Sequence, residues 1–411
     1  MSAPAGRAYH GASNAPVVPM LRSSLDTRPG SRIREVANAG MASPRADDIV
    51  RFWFGEGDLP TPEFIRDAAK HSLDAGETFY NHNLGIPELR AAIAGYASRL
   101  HRRTISSDRV AVTSAGINAL SLIGQALFEP GDRVVVVTPV WPNLTSIPRL
   151  LGAQVVRAPL DCRDGMWSLD LQKLLDAATP GTRAVLVNSP GNPTGWVMPQ
   201  ADWLTLRAHC ARHGIWLISD DAYERLVYDP ALTIDGHAPG LLGCVEDGER
   251  YISANTFSKS WTMTGWRLGW LIAPTEFVKP FGKLVEFNTS CAPTFVQRAG
   301  ITAIAEGDAL IEQTRVRLQA ARDLLVRRLR ELPGVELSSP PGAMYLFFRL
   351  PGRSDDSLAF AKRLVTEGGL GLAPGSAFGP EGEGYLRWCF AATEGLIERG
   401  VERLDAFLRA G

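Results

Sequence analysis

Five short runs of β-branched and apolar residues dominate the middle of this chain, and each stops at a cluster of turn or polar residues. Val110–Thr113 leads into Ser114-Ala115-Gly116 and then an apolar helical stretch from Asn118 to Phe128. Arg133–Val137 leads into Pro139 and Trp141, and Ala184–Val187 into Asn188-Ser189-Pro190-Gly191-Asn192-Pro193. Ile215–Ser219 leads into Asp220-Asp221, and Tyr251–Ala254 into Thr256-Phe257-Ser258-Lys259. Runs this apolar, separated by helical segments, belong to strands buried on both faces of a mostly parallel sheet. Crossover handedness and layer packing make the fold class α/β, a mostly parallel sheet sandwiched by helices.

The texture changes later in the chain. Leu268–Ile272 reads as one more strand, reached so soon after Gly265 that an antiparallel placement is expected. From about Val296 long amphipathic helices take over, as in Ile311–Leu332, followed by a strand-like Met344–Arg349 and a loop-and-strand segment, Ala373–Cys389. The 411 residues exceed one typical core. The expected division is a flexible tail over residues 1–20 and a segment 21–57 that joins a smaller domain. A large α/β domain over 58–295 and a small α+β domain over 296–411 complete it.

Charge and cysteine usage narrow the function. A formal net charge of -1 provides no global field for nucleic acid or an anionic membrane. Runs such as Val134–Val137 are far too short to span a bilayer, and the first twenty residues lack the apolar core of a signal peptide. Five scattered cysteines with no CxxC pair suit reduced thiols in a cytoplasm. His209 and His213 stand four apart, but with no third ligand they read as a solvated helix face. The basic run Arg322–Arg330 carries an apolar stripe and reads likewise. No GxGxxG or GxxxxGK[ST] motif is present.

In an open parallel sheet, ligands bind outside the carboxyl ends of the strands. That rule places Gly116, Trp141, Asn192, Asp220 and Lys259 around one crevice. A lysine, a carboxylate, an amide, an aromatic plane and an anion cradle together fit an aldehyde cofactor that carries a ring nitrogen, a ring hydroxyl and a phosphate. The lysine supplies covalent attachment, and a carboxylate facing the ring nitrogen keeps it protonated so that the ring accepts electrons. Of the six lysines, 70, 173, 259, 279, 283 and 362, only Lys259 follows a buried strand inside a Ser/Thr-rich turn. Plainer uses exist for the same residues: a helix N-cap for Asp220, core packing for Trp141, local turns for Asn192 and Tyr223, surface ions for the arginines.

Asn188-Ser189-Pro190-Gly191-Asn192-Pro193-Thr194-Gly195, Ser219-Asp220-Asp221-Ala222-Tyr223-Glu224, and Ser258-Lys259 with Arg267 eight residues on carry a family resemblance. In this order they resemble class I/II aminotransferases of the aspartate aminotransferase superfamily, pyridoxal-phosphate enzymes of fold type I. The resemblance implies that Lys259 binds pyridoxal 5'-phosphate covalently and moves the substrate proton. It implies that Asp220 pairs with the pyridine nitrogen, while Tyr223 and Asn192 bond the ring oxygen and Trp141 stacks on the ring. Ala115, Gly116 and Ile117, with Thr256, Ser258 and Arg267, are implied to hold the phosphate. Tyr80 is implied to reach the phosphate of a partner subunit, hence a homodimer. Arg387, assisted by the Gly55 backbone, is implied to clamp the substrate α-carboxylate. A helix opening at Gly116 suits a phosphate, and arginine suits planar, bidentate anions.

The implied activity moves an amino group between an L-amino acid and a 2-oxo acid by a ping-pong route. Ile117 stands where some bacterial aspartate-type members carry a lysine for a distal carboxylate, and Trp141-Pro142-Asn143-Leu144 replaces a tyrosine-bearing version. The first argues against a dicarboxylate donor and the second leaves the side-chain pocket open, so a neutral or aromatic amino donor is expected. β-Eliminating carbon–sulfur lyases and cyclopropane-forming synthases share the constellation, so they stay open as alternatives. A non-catalytic cofactor-binding sensor is another, although such regulators carry a DNA-binding domain for which the N-terminus leaves no room.

Overall fold

The computed structural model of the protein describes residues 30–410, except 164 and 247. The tail expected over residues 1–20 lies outside the described residues.

Fourteen strands follow in chain order among the described residues. They are β1 (Val50–Arg51), β2 (Val110–Thr113), β3 (Arg133–Thr138), β4 (Gln154–Arg163), β5 (Met166–Leu169), β6 (Thr182–Asn188) and β7 (Trp216–Asp220). Then come β8 (Tyr251–Thr256), β9 (Gly269–Ile272), β10 (Glu336–Leu337), β11 (Tyr345–Arg349), β12 (Leu370–Gly371), β13 (Ala373–Pro374) and β14 (Tyr385–Cys389). Eight of them form one sheet in the order β2-β9-β8-β7-β6-β3-β4-β5. β3, β4, β6, β7 and β8 pair in parallel, whereas β9 runs antiparallel to both of its neighbours and β5 returns from β4 as a hairpin.

The apolar runs explain this order. Val134, Val135, Val136 and Val137 of β3 are each at most 3% exposed, so side chains on both faces are covered. Each such burial is worth about 1.5–3 kcal/mol. One cluster, with Val135, Val137 and Val185, fills the face toward Trp203 and Trp270; another, with Val134, Val136 and Ala184, lies under the helix Gly116–Leu127. The helix Thr294–Glu306 also packs Val296, Ala299 and Ala303 into the first of these clusters.

A second, antiparallel sheet has the order β10-β11-β14-β13. Its core gathers Leu324, Leu325 and Leu329 of the helix Asp308–Arg330, together with Ile33, Val36, Phe52 and Trp53 from the N-terminal side. β1 pairs in parallel with β12, which stitches residues 50 and 51 to 370 and 371.

Register levels the strand ends. Asn188 lies beside Asp220 and Asp220 beside Ala254, while Gly269 lies between Thr113 and Thr256. The turns that carry the polar residues therefore open at one height along the sheet. No described helix is long and apolar enough to cross a membrane.

Candidate active site

A cavity of about 470 Å³ opens at those strand ends, between the large sheet, the second sheet and the N-terminal segment. Every site residue singled out in the sequence lines it except Tyr80. Tyr80 is 90% exposed, beside Phe79 at 83%, and takes no part in the cavity wall.

Lys259 follows β8 by three residues, in a turn that Thr256 and Ser258 shape. The Ser258 backbone N–H donates to Thr256 Oγ1 at 3.1 Å, and the two hydroxyls are 2.9 Å apart. The Lys259 ammonium donates to the Gly55 carbonyl. Burial lowers its pKa to about 8; the Cys389 sulfur opposes that shift and the Arg387 charge assists it. A lysine so placed is a neutral amine far more often at neutral pH than one in water.

Asp220 ends β7 and is 7% exposed. Burial raises its carboxyl to about 6 in the protein alone, against the Ala222 N–H, which donates to Oδ1 at 3.3 Å, and the nearby Lys259 charge. Its side chain accepts no other hydrogen bond among the described residues, so it has room for a cation of a ligand. Asn188 ties this corner together by donating from Nδ2 to the Asp220 carbonyl at 3.0 Å.

Arg387 sits in the middle of β14, 2% exposed and paired in register with Phe347. Its Nη1 donates to Asn192 Oδ1 at 3.2 Å and its Nη2 to the Trp53 carbonyl, but the buried Nε–H has no partner among the described residues. An orphaned N–H on a buried guanidinium is costly unless an anion comes to it.

The anion cradle lines the same cavity. Ala115, with φ 95°, turns the chain into the helix Gly116–Leu127, whose first turn no side chain caps. Gly269 permits this: a Cβ there would stand 2.5 Å from the Gly116 nitrogen and 2.6 Å from the Ala115 carbonyl carbon. Uncapped N–H groups at a helix start attract phosphate. Arg267 reaches the cavity from a left-handed backbone conformation, φ 56°, and donates to the Thr264 carbonyl at 2.6 Å.

These features fit pyridoxal phosphate: an uncapped helix start and Arg267 for the phosphate, an under-bonded buried carboxylate for the ring nitrogen, an amine for the aldehyde. The model of the family described as "Aminotransferase class I and II" matches residues 48–404. The chain belongs to the class I and II aminotransferases. Relatives of this aminotransferase include the aspartate aminotransferase of Pyrococcus horikoshii, 31% identical over 92% of this chain and 94% of that protein. The aromatic-amino-acid aminotransferase 2 of Thermococcus litoralis is 32% identical over 88% and 92%. Among solved structures, Thermus thermophilus aspartate aminotransferase with maleate superposes with a TM-score of 0.86 at 30% identity, covering 94% of this chain and 99% of that one. The protein is thus a pyridoxal-phosphate-dependent aminotransferase of fold type I.

Sequence reasoning missed part of the wall of this aminotransferase. Tyr345 at the head of β11, Trp53 and Phe54 after β1, and Ser31, Ile33 and Arg34 at the first described helix, Arg32–Met41, all line the cavity. Tyr345 is hidden in an apolar run, and only its hydroxyl sets it apart from a core residue. The pair His209 and His213 has rings 4.6 Å apart, but His209 Nε2 bonds the Ala178 carbonyl at 2.8 Å. No group of three metal-ligating side chains occurs among the described residues.

Proposed function

We propose that Lys259 is the group that holds the cofactor and carries the proton in transamination between an amino acid and a 2-oxo acid. The observation that carries this reading is the convergence of Lys259, Asp220 and Arg387 on one cavity. Pyridoxal phosphate, when bound, supplies an aldehyde for amines and a ring that draws electron density from the substrate α-carbon. The uncapped N–H groups at Gly116 and Ile117, with the Ala115 backbone that turns into them and with Thr256, Ser258 and Arg267, would hold the phosphate. Asp220 takes the ring nitrogen, Asn192 and Tyr223 take the ring oxygen, and Trp141 covers the ring face. Arg387 receives the substrate carboxylate on its free Nε–H, and the Gly55 carbonyl steadies the Lys259 amine. A Lys259 pKa of about 8 leaves the amine able to accept a proton from the α-carbon and return it to another atom of the same assembly. The Lys259→Ala protein should lose turnover and the visible absorption of covalently held cofactor; a spectrum unchanged from the parent would sink the assignment.

Ile33, Phe54, Ile117 and Leu120 give part of the cavity wall an apolar surface, which supports a neutral or aromatic amino donor. A panel of donors assayed against 2-oxo acids tests this, and a clear preference for aspartate or glutamate would reverse it, with Arg34 in the same wall as the obvious cation. The exposed Phe79 and Tyr80, with Phe287 at 89% exposure, support a homodimer in which Tyr80 serves the other subunit. A strictly monomeric protein in a sizing experiment would remove that role. All five cysteines are unpaired, which supports a cytoplasmic, reducing location; fractionation of cells carrying the tagged chain checks it. The domain division belongs to the same reading, with its boundary moved from the expected residue 295 to after the helix Thr294–Glu306. Val296, Ala299 and Ala303 pack with the large sheet, while residues 33–53 share the core of the smaller part. It is supported by the separate cores of the two sheets, and limited proteolysis should show it.

A further inference from the structure

Tyr345 belongs to none of the roles above, yet it touches three residues that have one. It is 1% exposed at the head of β11, and its hydroxyl lies 2.7 Å from that of Tyr223, with the two rings at 81°. The Arg387 guanidinium carbon stands 4.5 Å from the centre of its ring. The third neighbour is Gly55. A Cβ at that position would fall 2.0 Å from the Tyr345 hydroxyl. The glycine therefore makes room for the phenol, while its carbonyl accepts from Lys259.

Two hydroxyls at this distance share one proton, and the other proton must point elsewhere. The stronger acid of the pair donates. Burial pushes both phenols upward in pKa, and the Arg387 guanidinium, 4.5 Å from the centre of the Tyr345 ring, favours a negative charge on that phenol. With that cation over its ring, Tyr345 is assigned the shared proton and the Tyr223 oxygen accepts it. The Tyr223 proton is then left to turn into the cavity, where Lys259 Nζ lies 5.9 Å from the centre of the Tyr223 ring.

We infer that Tyr345 is a positioning residue: its hydroxyl aims the Tyr223 proton at the ring oxygen of the cofactor, and Arg387 sets how firmly it does so. The inference rests on the reading of Tyr223 and Lys259 given under the proposed function. It places the carboxylate clamp and the ring-oxygen donor in one line of contacts, a guanidinium over the Tyr345 ring and then the Tyr345–Tyr223 hydrogen bond, so that a charge change at one end is felt at the other.

The test follows the visible absorption of the cofactor-loaded enzyme as a function of pH. A hydrogen bond to the ring oxygen favours its anionic form and lowers the midpoint of that titration. Tyr345→Phe removes one oxygen and keeps the ring under Arg387. It frees Tyr223 to rotate, and the midpoint should rise by roughly half to one pH unit, the worth of one neutral hydrogen bond. Turnover should fall several-fold with KM changed less. In a Tyr223→Phe background the same substitution should produce no further rise, because the proton that it aims is gone. An unmoved midpoint in Tyr345→Phe, or an equal rise in both backgrounds, overturns the inference. Failure of the unsubstituted enzyme to show the visible band overturns the Lys259 reading first, and the two failures are distinguishable.

Discussion

Asp220 and Asp221 are neighbours in sequence and opposites in surroundings. Asp220 lines the cavity and accepts only a 3.3 Å bond from the Ala222 N–H. Asp221 turns to the other face of the sheet, where Ser219 Oγ donates to its Oδ2 at 2.8 Å and Ser253 Oγ donates at 2.5 Å. Close by, Glu224 accepts from Tyr96 at 3.1 Å and from Asn255 at 2.8 Å, with His101 Nε2 at 3.5 Å. Burial raises both aspartates, Asp220 to about 6 and Asp221 to about 7, the latter also through the Glu224 charge. The difference lies in what is left over. Asp221 is bonded within the fold, whereas Asp220 is left short of donors at the mouth of a cavity, the condition in which a buried charge is kept for a ligand.

Replacing each by alanine separates the two. Asp220→Ala should reduce turnover by about a hundred- to a thousandfold, the usual cost of removing a group aimed at developing charge. Asp221→Ala should stay within about tenfold of the parent, since its bonds lie behind the sheet. Equal losses in a steady-state assay would erase the distinction. Melting of the cofactor-free proteins gives the smaller effect, with the order reversed. Asp221→Ala orphans two buried hydroxyls, each worth about 1–3 kcal/mol. For Asp220, the folded carboxyl titrates near 6, above its unfolded value, so its favourable contribution is present below pH 4 and is lost as pH rises through 6. Asp220→Ala should therefore match the parent near pH 4 and gain on it by up to about 2–3 kcal/mol at pH 8. A gap that does not change with pH would show that Asp220 is not the group left under-bonded.

The same contrast explains what the sequence disclosed. Val110–Thr113, Ala184–Val187 and Tyr251–Ala254 announce their strands because a doubly buried strand has to be apolar throughout, and the observed bounds differ by at most two residues at either end. The antiparallel β9 was legible too, from the short path after Gly265. The hairpin of β4 and β5 was not: its residues are mostly half-buried or exposed, Met166 being 70% exposed, so no continuous apolar signal marks it. In the site, residues next to a strand end or inside a dense motif were visible, such as Asn192, Asp220 and Lys259. Tyr345, Phe54 and Arg34 were hidden, because contacts between residues hundreds of positions apart leave no local pattern. Tyr80 is a separate case, since a surface residue declares its role only through the surface that it meets.

The Arg387 guanidinium bonds the carbonyl of Trp53, 334 positions earlier. During synthesis from the amino end, the helix start at Gly116 and the amine of Lys259 emerge first, and the cation proposed for the substrate comes nearly last. On the proposed role of Arg387, a growing polypeptide is chemically incomplete until its final strands have been made and folded back onto its beginning, and fragments that stop short of β14 lack the proposed grip on an amino acid.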